Sequence, residues 1–397
     1  MYNGGVKTHV IVKTHELALK GKNRPWFLRR LTENLRRATE GAGVSRVWQG
    51  QLMIGLTLED EGSWPEVKER VRECFGVAKF FLAYEFPQDL ELVKDALRQR
   101  LPELDFRSFR MVTNRADKRF PLTSPEVNAE LGRFVEELTG ARVDLSGPDL
   151  SIYLDVQTRG ILLYFDETPA HGGLPVGVSG RVAVMLSGGI DSPVAAWHMM
   201  KRGCQASYVH FHSYPLVDRT SMEKAAELTQ LLGRHQNRAE LYLAPLSEIQ
   251  KRVIVETPPS YRVLLYRRFM LRITEALARQ AGAKAIVTGE SCGQVSSQTL
   301  DNIAVVDKVA GMPVLRPLIG MNKEEIVGMA RNIGTFPISI QPDQDCCSLF
   351  VPKHPETRAR LSVIERLEEG LPVDEMVAES LAGVVREQIE SPYGAAV

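Results

Sequence analysis

None of the apolar stretches in this 397-residue chain approaches the length of a membrane-spanning helix, so no transmembrane segment is predicted. The N-terminus lacks the order of a secretory signal; Met1 to Lys7 leads straight into a short β-like run. Cysteine is scarce: five residues, an odd number, spread along the chain without a CxxC pair. That argues against a disulfide framework and a zinc ribbon, and it predicts a reducing cytoplasmic setting. Internal repeats and low-complexity tracts are absent. So are two common nucleotide fingerprints, GxxxxGK[ST] and GxGxxG. Net charge is absent as well, with 49 Lys/Arg against 49 Asp/Glu. What remains is an ordinary globular composition, 44% hydrophobic and 25% charged, over a length that predicts two or three domains.

The balanced charge hides an asymmetry. Residues 1–48 carry ten Lys/Arg against three Glu, whereas residues 361–397 carry two Arg against eight Asp/Glu. One end can therefore meet a polyanion and the other cannot. Three regions follow from the hydrophobic patterning. Residues 1–62 read as a strand at His9–Lys13, a basic loop at Glu16–Arg24, a helix at Trp26–Thr39 and a strand at Leu52–Leu58. Residues 63–168 mix helices (Glu66–Phe75, Leu90–Leu101) with strands (Phe106–Thr113, Ser151–Gln157, Gly160–Phe165) and a basic loop at Asn114–Arg119. Residues 169–180 are rich in glycine and proline and read as a linker. From 181 to 397 strands alternate with helices, the pattern of a doubly wound parallel sheet, so the fold class is α/β with an α+β front half. Ser247–Gln250 and Asn322–Glu325 have the spacing of capping boxes.

The richest stretch is RVAVMLSGGIDSPVAAWHMM, residues 181–200. A β-prone run ends at Met185-Leu186, Ser187-Gly188-Gly189 make a turn, and a helix is expected from Pro193. Small residues let the backbone approach a ligand, and the helix N-terminus aims N–H groups at it, as an anion site needs. Ser187 and Ser192 add hydroxyls. Asp191 would repel phosphate, which predicts a metal ion or cationic partner beside it. Further candidates follow other strands. Gly289 offers close backbone approach and Gln298 a hydrogen bond to a base edge, while His210 and Phe211 suit contact with an aromatic ring. Arg267 offers a cation to a triphosphate. Lys323 opens a helix, where the macrodipole disfavours a cation, and so hints at an anionic partner. Cys346 and Cys347 are adjacent in a polar loop, which points to sulfur chemistry. For a polyanion, Lys20, Lys22, Arg24, Arg115, Lys118 and Arg119 are the loop cations best placed to meet phosphates.

Taken in order, these segments resemble the ThiI family of tRNA 4-thiouridine synthetases, in the form without a C-terminal rhodanese domain. ELALKGKNR (16–24) is similar to the family's ferredoxin-like domain. NRADKRFPLTSPEVNAELG (114–132), VDLSGPDLSIYLDV (143–156) and GGLPVGVSG (172–180) resemble its THUMP RNA-binding domain and the junction after it. SGGIDSP, TGESCGQVSSQT and the DCC loop resemble its ATP-pyrophosphatase domain. Lys13-Thr14-His15 and Cys292 depart from the expected pattern. The resemblance implies adenylation of the C4 oxygen of the uridine at position eight of tRNA by ATP with Mg2+, then attack by a persulfide sulfur. It also implies a cysteine desulfurase as sulfur donor. Asp191, Lys323 and one of Cys346 and Cys347 would be catalytic; a homodimer and a second outlet of sulfur to the thiazole of thiamine stay open. Two rivals remain at this stage: another adenylating enzyme of the same superfamily, and a non-catalytic RNA-binding protein.

Overall fold

A short apolar run builds the first strand, β1 (Lys7–Lys13), whose Val10, Ile11 and Val12 are wholly buried, Val10 and Val12 in one cluster and Ile11 in another. The computed structural model describes residues 7–50, 53–343 and 354–393, and these form two units, divided between Gly172 and Gly173. In the first unit β1 is followed by helix α1 (Arg24–Ala38), β2 (Val44–Gln49), β3 (Ile54–Leu58) and α2 (Trp64–Arg72). Then come β4 (Lys79–Phe86), α3 (Leu90–Arg100), β5 (Ser108–Arg115) and α4 (Ser124–Thr139). The unit closes with β6 (Arg142–Val143), β7 (Leu150–Gln157), β8 (Gly160–Phe165) and β9 (Thr168–Pro169).

These strands form one sheet in the order β2-β3-β1-β4-β8-β7-β5-β6, with β9 also on β4. The strand β4, absent from the sequence reading, is its centre: KFFLAYEF is nearly continuously apolar, the mark of a strand buried on both faces. Helix α4 is also absent from that reading. It is set by a Thr123/Glu126 capping box, Pro125 in the first turn and Gly140 in the left-handed conformation behind it. The expected basic loop at Glu16–Arg24 is instead a 3-10 turn over Glu16–Asn23, pinned by the buried Leu17. The expected division after residue 62 falls inside one core, because Val67, Val71 and Phe80 pack with Leu31 and Leu35 of α1.

The second unit alternates strand and helix. Its first half comprises β10 (Arg181–Met185), α5 (Asp191–Lys201), β11 (Gln205–His212), α6 (Thr220–Gly233), β12 (Arg238–Pro245) and α7 (Ser247–Glu256). After α8 (Arg262–Gln280) come β13 (Ala285–Val287), α9 (Leu300–Asp307), β14 (Val314–Leu315) and α10 (Lys323–Asn332). The short α11 (Phe336–Ser339), then α12 (Leu361–Glu369), α13 (Val373–Ala382) and β15 (Val385–Glu390) complete it. The strand order is β14-β13-β10-β11-β12-β15, all parallel except β15, which adds an antiparallel edge. The chain runs outward from β10 to β12, then returns to lay β13 on the other side of β10. That reversal opens a crevice beyond the carboxyl ends of β10 and β13, where ligands of such sheets bind.

Two local expectations are corrected. Helix α5 begins at Asp191, two residues before Pro193, because the chain enters helical geometry directly from Ile190. Ser247 does not cap α7; Gln250, the partner such a box needs, is buried and accepts a 2.5 Å hydrogen bond from Ser213 Oγ. The Asn322/Glu325 box forms in full at α10. The glycine- and proline-rich 169–180 stretch is ordered. Thr168–Pro169 pairs with β4, and Leu174 bridges to Arg202.

Candidate active site

The turn after β10 is held by its own serines. Ser192 Oγ accepts from the Ser187 backbone N–H at 2.9 Å and lies 3.1 Å from Ser187 Oγ, while the Gly189 N–H donates to Ser187 Oγ at 3.2 Å. These bonds hold the 187–192 turn at the start of α5, where helix N–H groups and the dipole favour an anion. Close approach to backbone explains one glycine: a Cβ on Gly289 would lie 2.6 Å from the Ser192 backbone nitrogen, whereas one on Gly188 would meet the movable end of the Asp343 side chain, 2.4 Å from Oδ2. Behind Gly188 the buried Lys224 Nζ donates to the Gln341 carbonyl at 2.7 Å and pairs with Asp343 at 3.3 Å.

Beyond the strand ends lies a cavity of about 570 Å³, a size that suits a nucleotide. Met185, Leu186, Ser187, Asp191 and Ser192 line it, together with His210, Phe211, Arg267, Gly289 and Gln298. Nine of the eleven residues expected to hold nucleotide thus converge here, together with Asp191 of the expected catalytic set, and Gly188 and Gly189 lie in the adjoining turn. His210 is wholly buried, with Nδ1 2.9 Å from the Leu186 carbonyl and Nε2 3.3 Å from Ser221 Oγ. Burial drives its pKa below the ordinary histidine value, which keeps a neutral ring at the cavity wall. His212, two residues further along β11, lines a different cavity.

The cavity also holds a network that sequence reasoning missed. Glu290, buried, takes a hydrogen bond from Thr288 at 2.8 Å, from Arg316 Nε at 2.5 Å and from Arg267. Arg316 in turn grips Asp307, at 2.8 and 2.5 Å. Two arginines facing two carboxylates leave the network neutral, so the charge of Arg267 is matched within the protein. Arg267 also donates to Ser297, to Oγ at 3.2 Å and to the carbonyl at 3.4 Å, which ties the 295–298 rim to helix α8.

At the mouth stands Asp191. Its Oδ1 accepts from Lys323 Nζ at 2.6 Å and its Oδ2 from Gln294 Nε2 at 2.9 Å. The two electrostatic puzzles of the sequence therefore answer one another: the carboxylate beside the phosphate turn and the lysine at the start of α10 are partners. Among the described residues no group of three or more His, Cys, Asp or Glu side chains could hold a metal.

With this geometry in hand, comparison with known proteins is decisive. The model described as thiamine biosynthesis protein (ThiI) matches residues 177–373, the ThiI ferredoxin-like domain 9–80 and the THUMP domain 87–166. A probable tRNA sulfurtransferase of Thermus thermophilus is 51% identical over 92% of this chain and 90% of its own length. The chain belongs to the ThiI family. A second probable tRNA sulfurtransferase, from Moorella thermoacetica, is 42% identical over 94% of this chain and 96% of its own. The crystal structure of a 4-thiouridine synthetase–RNA complex with bound ATP superposes with a TM-score of 0.90. It is 34% identical and covers 97% of this chain and 100% of that one.

In this ThiI-family chain the remaining candidates lie elsewhere. Lys20 and Lys22 sit on the 3-10 turn of the first unit, and Arg24 opens α1; Lys20 Nζ lies 5.2 Å from the centre of the Phe27 ring. Lys118 is exposed. Arg119 is bound by both side-chain oxygens of Asp117, whose carboxyl is pulled down to about 2 by that arginine. Arg115 points inward and donates to the carbonyls of Phe120 and Leu122, so it shapes the loop that carries the other two. Cys346 and Cys347 lie outside the described residues.

Proposed function

We propose that the chain is an ATP-dependent tRNA sulfurtransferase that converts the uridine at position eight of tRNA to 4-thiouridine. The observation that carries this reading is the Asp191–Lys323 pair at the mouth of a nucleotide-sized cavity, beside a phosphate turn. ATP fits the residues present. Gln298 Oε1 is a buried acceptor without a donor among the described residues, and the exocyclic amine of adenine would supply one. The turn after β10 and the start of α5 would take the phosphates. Magnesium would arrive with the triphosphate and use Asp191 as its protein carboxylate, since Mg2+ is commonly held by one or two carboxylates plus substrate phosphates.

The chemistry then follows. The uracil C4 oxygen attacks the α-phosphorus, the bond to the β-phosphate oxygen breaks, pyrophosphate leaves, and the N3 proton passes to solvent so that the adenylated base is neutral. This turns a poor oxygen leaving group into a good one. The terminal sulfur of a cysteine persulfide attacks C4 and AMP departs; a second thiol then cleaves the sulfur–sulfur bond to release the thiouridine, leaving a disulfide. Lys323 stabilises negative charge on the reacting oxygens. One of the adjacent Cys346 and Cys347 carries the persulfide, charged by a separate cysteine desulfurase, and the other cysteine or an external thiol resolves it. Lys20, Lys22, Arg24, Lys118 and Arg119 contact tRNA phosphates. Mass spectrometry of nucleosides from tRNA incubated with the protein, ATP, cysteine and a desulfurase tests the reading. It expects ATP-dependent 4-thiouridine at one position, and unmodified tRNA would overturn it.

A further inference from the structure

The grip on Asp191 leaves one polar atom unexplained. A carboxylate only accepts hydrogen bonds, so Gln294 must offer it the amide NH2, and the direction of its carbonyl is thereby fixed. That carbonyl oxygen is buried and has no partner among the described residues. Orphaned buried acceptors are rare in folded proteins, and at a site they mark the place of a donor that the ligand brings. The triphosphate of ATP brings none, because its oxygens accept. Apart from water, a second reactant at the Asp191–Lys323 cluster can bring one.

The reacting edge of uracil has the required pattern. Its N3–H donor stands next to the C4 oxygen, an acceptor. The cluster offers the complement, an acceptor on Gln294 and a cationic donor on Lys323, held side by side by the two oxygens of Asp191. Cytosine presents the reverse pair on the same edge, an N3 acceptor beside an amino donor, and would be mismatched at both. We propose that Gln294 is a specificity-determining residue that accepts the N3–H of the target uracil, while Lys323 donates to the C4 oxygen where adenylation occurs. The proposal rests on the sulfurtransferase reading above.

The test uses the full chain, ATP and two tRNAs, one with uridine and one with 3-deazauridine at position eight; the analogue keeps the C4 oxygen and, through its 4-hydroxy tautomer, can form a neutral adenylate, but it carries C–H in place of N3–H. The readout is kcat/KM for tRNA-dependent pyrophosphate release. Wild type should prefer uridine by about 100-fold or more, since a site built around a substrate N–H discriminates strongly against its loss. Gln294→Ala should lose about 10-fold on uridine, one hydrogen bond. It should lose far less on the analogue, which has no N3–H to offer, so its preference for uridine should narrow to less than about 10-fold. Gln294→Met, which keeps the side-chain volume without the acceptor, should show the same loss on uridine and an unchanged ATP affinity. If both tRNAs fall by one common factor in both variants, Gln294 serves only to hold Asp191 or a magnesium-bound water, and the proposal is wrong. Should wild type release no pyrophosphate with uridine tRNA, the parent reading fails first and takes this one with it.

Discussion

Replacing Asp191 with alanine removes the carboxylate that joins the start of α5, Lys323 and Gln294. Its structural cost is modest. An acidic residue in a first helical turn contributes about 0.3–1 kcal/mol. The Lys323 pair is partly solvated, with 46% of the lysine side chain and 19% of the aspartate side chain accessible, so it adds about 0–1 kcal/mol. A loss of about 1–2 kcal/mol leaves a protein of ordinary stability folded. The catalytic cost is larger. Loss of a group that fixes a charged donor on the reacting oxygens typically removes about 3–4 kcal/mol of transition-state stabilisation, or about 10²–10³ in rate. The effect on tRNA has the opposite sign: deleting a negative charge cannot weaken binding to a polyanion through electrostatics. The expected result is a single-turnover pyrophosphate release at least about 100-fold slower, with tRNA affinity by filter binding unchanged or slightly tighter. Release at the parent rate would show that adenylation happens elsewhere. A parallel collapse of tRNA affinity would show that Asp191 acts through fold rather than chemistry.

Three further outcomes follow from the same geometry. Gly289→Ala puts a methyl 2.6 Å from the Ser192 backbone nitrogen, and backbone cannot swing away; the overpacking should cost about 1–3 kcal/mol and weaken ATP binding, and an unchanged melting temperature and ATP affinity would show slack in the turn. Neutralising Lys20, Lys22, Arg24 or Lys118 singly should reduce the salt slope of log K for tRNA by about one unit or less, whereas Arg115→Gln should instead lower stability by releasing the Phe120 and Leu122 carbonyls; equal slopes for all variants would refute the assignment. Of Cys346→Ser and Cys347→Ser, at least one should abolish 4-thiouridine while pyrophosphate release persists, and a double variant that thiolates at the parent rate would remove the pair from the sulfur path.

The second unit was the more legible half of the fold, for a physical reason. Its strands are short apolar runs between helices with their own punctuation, so the runs at 182–186, 206–211, 239–243 and 285–288 read from the sequence match β10, β11, β12 and β13 within a residue or two. The antiparallel β15 was not visible, because VREQIE is mostly exposed at a sheet edge and carries no apolar signature. The first unit hides more. Its central strand β4 shows no alternation, since both of its faces are covered. The α2 segment belongs to the core of α1 although a proline and a tryptophan at 64–65 read as a boundary. Punctuation there marks a helix start, where proline is at home, rather than a domain edge.

The site divides along the same line. Residues inside one local motif were legible: the strand–turn–helix of 185–192 announces an anion site because the spacing of its serines and glycines is itself the cradle. What was not legible are the partners that folding brings from far along the chain. Lys323 and Asp191 are 132 positions apart and Gln294 is 103 from the same carboxylate, and no periodicity connects them. A trace was nonetheless present. An aspartate beside a phosphate turn and a lysine at a helix start are each unfavourable alone, and burying or crowding a charge requires compensation. Two such mismatches of opposite sign in one chain are better explained by each other than separately. Glu290 left no such trace: TGESCG reads as a small-residue turn, and only Arg267 and Arg316 from two other segments show why a carboxylate is affordable there. Charge anomalies therefore point to partners across the fold, whereas charges whose neighbours satisfy them in three dimensions leave nothing in the sequence to read.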